Sequence, residues 1–139
     1  MSNNEPSRPT TVGIRVPAAA QQLTMLRALT ETALLMADLV LDEVTDIQVA
    51  IDEVVTSVIA AARPGSTIEC EVVFGDGRTR VCLTAVVIRQ DVIDQQSFGW
   101  RVMQTVTESL QADLGAFDRM LGGYPVSVGF SRERRAIEP

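Results

Sequence analysis

Histidine and lysine are both absent from this chain of 139 residues. Without histidine there is no Ser-His or Cys-His nucleophile pair, and most zinc sites are excluded. The two cysteines, Cys70 and Cys82, are too few for a disulfide framework or a structural metal site. Because lysine is missing, all 12 basic residues are arginine, which points to a GC-rich coding sequence. They are outnumbered by 18 acidic residues, for a net charge of −6. That balance argues against direct nucleic-acid binding, which needs a basic footprint. It leaves room for a basic protein partner, or for a nucleotide shielded by Mg²⁺. No stretch approaches the ~18 uninterrupted apolar residues of a membrane span. Met1 to Thr10 lack the charged start and apolar run of a signal peptide. The expected location is therefore the cytoplasm, away from any membrane.

What is present suffices for one domain. The chain is 46% hydrophobic, enough for a real core at this length. The expected layout is a domain over residues 11–132 between loose tails at 1–10 and 133–139. Val12, Ile14 and Val16 alternate with Gly13 and Arg15 as in a short strand, which Pro17 ends. Leu23, Leu26, Leu29, Thr30, Ala33, Leu34 and Ala37 fall at helical spacing, predicting a first helix over 19–37. A second helix over 42–62 carries the stripe Ile47, Ile51, Val54, Val58 and Ala61 and stops at Arg63-Pro64-Gly65. Asp42, Glu43 and Asp46 sit in its first turns, where the helix dipole favours acids.

Ile68, Cys70, Val72 and Phe74 then alternate as a strand, and Asp76-Gly77 makes a two-residue hairpin turn. Such a turn pairs Phe74 with Thr79, Val72 with Val81 and Cys70 with Leu83, with every apolar partner on one face. Cys82 then lies on the other face, opposite Glu71, so no disulfide to Cys70 is expected. A polar loop covers 89–96, and a third helix is predicted over 98–110 with Val102, Met103, Val106 and Leu110 inward. Strands over 112–117 and 124–130 flank a Gly122-Gly123 turn. The order β-α-α-β-β-α-β-β, with antiparallel hairpins, predicts a two-layer α/β sandwich. Three helices cover one face of an antiparallel or mixed sheet.

The second helix reads Val49-Ala50-Ile51-Asp52-Glu53-Val54-Val55-Thr56-Ser57-Val58-Ile59. This resembles the N-box helix of the GHKL, or Bergerat-fold, ATPases, and in particular of the bacterial anti-sigma-factor serine kinases. The element order from Val12 to Phe130 and Ser97-Phe98-Gly99-Trp100 at the start of the third helix extend the resemblance over nearly the whole chain. The resemblance implies that Glu53 is the catalytic acid or base at the γ-phosphate. Residues i and i+4 share a helix face, so Ser57 points the same way as Glu53 and stands where the family places a Mg²⁺-binding Asn. Asp91 takes the place of the adenine-reading Asp, and Ser97 and Gly99 that of the Gly-rich turn, where helix-terminal N–H groups hold anions. The glycines that follow the adenine Asp in the family are missing here, and the lid is reduced to a few residues. No resident metal site is expected, and binding of ATP and Mg²⁺ is expected to be weak or absent.

The resemblance further implies an anti-sigma factor, with a sigma factor and an anti-anti-sigma protein as partners and a homodimer as the working unit. An ATP-dependent serine kinase acting on the anti-anti-sigma protein is one alternative. A small-molecule sensor using the remnant cleft is another. Arg27 and Glu31 on the first helix are four apart and can pair on the surface, or they can face a partner there. Val73, Val86 and Ile88 on the outer sheet face suggest an apolar patch that a second copy would cover.

Overall fold

The computed structural model describes residues 8–37 and 39–133. Most of both expected tails, residues 1–7 and 134–139, lies outside the described residues. The folded part is somewhat longer than 11–132, because Thr10 opens the first strand and Glu133 closes the last. In chain order the elements are β1 (Thr10–Pro17), a 3₁₀ turn (Ala20–Gln22), α1 (Leu23–Leu35), α2 (Leu41–Ala61), β2 (Thr67–Gly75), β3 (Arg78–Val87), α3 (Phe98–Val106), β4 (Ser109–Leu114) and β5 (Tyr124–Glu133). The five strands form one sheet in the order β1-β2-β3-β5-β4, antiparallel throughout. This is the expected α/β sandwich, and the sheet is antiparallel rather than mixed.

The hairpin has the register that its turn dictates. Phe74 faces Thr79, Val72 faces Val81 and Cys70 faces Leu83. Asp76 and Gly77 hold positive φ of 52° and 76°, the left-handed conformation that a two-residue turn of matching twist requires. One sheet face carries Ile14, Val16, Ile68, Cys70, Val72, Val81, Leu83, Val126, Val128 and Phe130, all buried. Leu26, Ala33 and Leu34 of α1, Ile47, Ile51, Val54 and Val58 of α2, and Trp100 and Met103 of α3 close over it. Among the described residues no helix covers the opposite face.

Several boundaries differ from expectation, and β4 is shifted to Ser109–Leu114 from the expected 112–117. The first helix does not start at Ala19, which is extended (φ −137°, ψ 146°); a 3₁₀ turn intervenes and α1 ends at Leu35. The third helix stops at Val106, not Leu110, because Thr107 turns extended (φ −124°, ψ 155°). Glu108 N–H then donates to Ser131 O at 2.7 Å, which starts β4 three residues early. Leu110 is accordingly a strand residue opposite Phe130.

Cys70 is buried and Cys82 exposed, and both are free thiols. The Cys70 thiol is pushed up to about 12, chiefly by burial and further by Cys82 and Glu71. An unfolded chain ionises this thiol from pH 9.0, whereas the folded chain holds the proton to about 12. The stability linked to Cys70 is therefore complete below the lower value and is lost as pH climbs through the higher one. Unfolding free energies from urea titrations should fall over this alkaline window, and fall less in Cys70→Val. A thiol reagent at neutral pH should leave Cys70 unlabelled until the chain unfolds.

Candidate functional site

The second helix presents two faces. Ile47, Ile51, Val54 and Val58 enter the core, and Glu53 and Ser57, one turn apart, are exposed on the other side. The start of α3 comes up against Glu53. A Cβ placed on Gly99 would sit 2.9 Å from Glu53 Cδ, so the glycine lets the helix backbone touch the carboxylate. Ser97 caps α3, its Oγ accepting from Trp100 N–H at 3.1 Å. Trp100 is buried in the core while Phe98 is exposed. Asp91 pairs with Arg89 at 3.1 Å on the surface. Glu53, Ser97 and Gly99 thus come together, with Ser57 one turn further along α2. Among the described residues no three His, Cys, Asp or Glu side chains cluster as metal ligands would.

On α1, Arg27 reaches across to α2 rather than along its own helix. Its Nε lies 3.2 Å from Asp52 Oδ1 and its Nη2 2.9 Å from Oδ2, a two-pronged pair that replaces the Arg27–Glu31 contact suggested by their spacing. Gln48 joins Asp52 at 3.5 Å to Thr30 Oγ1 at 3.3 Å, extending the strap between the helices. Asp52 and Gln48 escaped the sequence reading because their partners lie 25 and 18 residues away. The other flank of α1 is exposed and apolar. Met25, Leu29 and Met36 fall on one line at helical spacing, and Val40 and Leu41 continue the exposed apolar surface into the connection to α2.

No protein-family model matches the chain. The anti-sigma-F factor RsbW of Mycobacterium tuberculosis, from two strains, is 31% identical over 100 residues, which cover 72% of this chain. The chain belongs to the RsbW-like family. Those matched residues span 60% of the length of the RsbW relatives. A crystal structure of the RsbU and RsbW domains of an M. tuberculosis protein shares the fold, with a TM-score of 0.60 at 16% identity over 94% of this chain and 34% of that one. No helix among the described residues of this RsbW-like chain is long and apolar enough to cross a membrane.

The Glu53–Gly99 contact of this RsbW-like chain yields a direct test. Alanine at 99 gains helix propensity of about 0.5–1 kcal/mol over glycine. It also has to push the Glu53 carboxylate aside. Glu53 is exposed and flexible, so that displacement is cheap. Gly99→Ala should therefore shift stability by less than about 1 kcal/mol, measured by urea unfolding. A loss several times larger would mean that Glu53 is held at Gly99 by more than packing.

Proposed function

We propose that this protein is an anti-sigma factor. It sequesters a bacterial sigma factor and is released when an anti-anti-sigma protein competes for it. The observation that carries the reading is the relationship to anti-sigma-F factor RsbW over most of the chain. The exposed apolar line on α1, with Arg27 and Glu31 on the other flank of the same helix, supplies the contact surface. A net charge of −6 suits a basic partner and speeds encounter with it, an effect that salt weakens. The decisive experiment is in-vitro transcription with each candidate sigma factor of the host and an equimolar amount of this protein. Inhibition of one of them is the expected result. If none is inhibited or co-purified, the reading fails.

Binding rather than phosphoryl transfer is the proposed mode, and four placements support it. Glu53 lies against Gly99, so a phosphate at the start of α3 would have to displace its carboxylate. The Ser97 oxygen accepts from an N–H of α3, which ties its side chain to the helix cap. Asp91 is engaged by Arg89 on the surface. Ser57 offers a short hydroxyl where the family has a longer amide. These residues do not fit a Mg²⁺-nucleotide, and no kinase step is assigned to them. Calorimetric titration should show no micromolar ATP binding, and Glu53→Ala should leave sigma-factor binding nearly intact. Phosphate transfer to an anti-anti-sigma protein that is lost in Glu53→Ala would overturn this.

A homodimer is part of the same proposal, with the helix-free sheet face as its contact. Val73 and Val86 lie half-buried there, and Gly13 and Gly129 open shallow hollows beside Cys82. Ile88, the residue after β3, adds exposed apolar area. Light scattering should give about twice the chain mass of 15.1 kDa at micromolar concentration.

A further inference from the structure

Among the described residues, three buried side-chain atoms have no hydrogen-bond partner: Glu43 Oε2, Thr79 Oγ1 and Arg132 Nε. Their residues are 2%, 1% and 7% exposed. Each such atom, left alone, carries the full cost of losing water. They come from three elements and from distant parts of the chain, yet two of them are direct sheet partners and the third lies one turn along α2 from the residue that pairs with the same arginine.

Thr79 and Arg132 are direct partners across β3 and β5, so their side chains stand side by side on the helix-covered face. Glu43 comes to the same level from above. The C-terminal end of α2 is tied to the end of β3, with Ile88 N–H donating to Ala61 O and Arg63 N–H to Val86 O, each at 2.9 Å. From Ala61 back to Glu43 the helix rises about 27 Å. From Val87 back to Thr79 the strand runs about 26 Å. The Arg132 ion pair checks this estimate independently: Nη1 lies 3.0 Å from Asp46 Oδ2, one turn along α2 from Glu43. The same Nη1 donates to Val106 O at 2.6 Å, at the last residue of α3.

We infer that Glu43, Thr79 and Arg132 enclose a binding site for a single buried water beneath the first turns of α2. The donor and acceptor pattern selects water. Arg132 Nε–H can only donate, Glu43 Oε2 accepts, and the Thr79 hydroxyl does either. A water accepts from the first and donates to the second. Its remaining hydrogen-bond capacity serves the third, giving the roughly three bonds typical of a buried water. A metal cation would face the Arg132 N–H and is disfavoured. With the water in place, the guanidinium joins β5, α2 and the end of α3 through satisfied groups only. That fixes the first turns of α2, and with them the exposed corner at Val40 and Leu41.

The test is a crystal structure of the full chain at a resolution that shows ordered solvent, paired with amide hydrogen exchange. One water within ~3.2 Å of all three atoms is expected. An empty site, a cation, or a direct Glu43–Thr79 contact would overturn the inference. Thr79→Val removes one ligand of the water without changing shape. It should speed exchange in the first turns of α2 about tenfold and leave the stretch around Glu53 unchanged. Thr79→Ser should keep the native rate. Equal exchange in native and Thr79→Val protein, or equal acceleration along all of α2, would reject the bridging water even if both variants fold well.

Discussion

Leu29→Asp is expected to weaken the proposed binding to a sigma factor by at least about hundredfold, or ~2.7 kcal/mol, while leaving the fold intact. Leu29 is an exposed apolar residue between Met25 and Met36 on α1, so an aspartate there costs the free protein little. In a complex the same carboxylate would be buried against an apolar surface without a partner, which is among the costliest changes an interface can suffer. Arg27→Ala makes a useful contrast. Arg27 already holds Asp52, and the exposed pair contributes no more than about 1 kcal/mol to the fold. If the partner also engages Arg27, binding should fall by ~2 kcal/mol or more. If Arg27 serves only the α1–α2 strap, Arg27→Ala and Asp52→Ala should weaken binding equally and slightly. Isothermal titration of the three variants against the sigma factor separates these outcomes. Native affinity in Leu29→Asp would move the contact surface off this flank of α1.

The elements that could be read from the sequence were those specified by neighbouring residues. The stripe on α2 repeats over 21 residues, long enough to fix both its type and its buried face. The β2–β3 register followed from two turn residues, because a one-residue slip would have turned Arg78 and Arg80 toward the core. The third helix ran on too far for the opposite reason. Leu110 continues its apolar period, and what ends the helix lies elsewhere in the chain: Ser131 receives Glu108 N–H, and Arg132 takes the carbonyl of Val106. Partners more than 20 residues away leave no local trace.

The candidate site shows the same division. The i, i+4 rule put Glu53 and Ser57 on one face, and the cap at Ser97 has the residue type and place expected for a helix start. The pairing of Arg27 was misplaced by the same local rule, because Glu31 is near in sequence and Asp52 is not. The approach of Gly99 to Glu53 and the reach of Arg132 to Asp46 and Val106 depend on how helices lie on the sheet. Glu43 looked like a dipole-favoured acid of the first turn. Its burial, which a solvated acid would not show, marks it as part of an interior polar group.

Ile51→Ala is expected to destabilise the domain by about 3–4 kcal/mol. Ile51 sits in the middle of α2 at 1% exposure, in the core that α2 shares with the sheet. Alanine removes three carbons from a close-packed interior, and neighbours on both layers are too constrained by their own contacts to fill the gap. A domain of this size is stable by only about 5–15 kcal/mol, so the loss is a large share of the total. Val49→Ala, two residues away on the same helix, is the control. Val49 is 39% exposed, and its truncation should cost less than about 1 kcal/mol. Both values come from urea midpoints at constant slope. The contrast between them tests the orientation of α2, and hence the side on which Glu53 is displayed. A larger cost at Val49 than at Ile51 would mean that the helix is rotated about its axis, and the Glu53–Gly99 contact would fall with it.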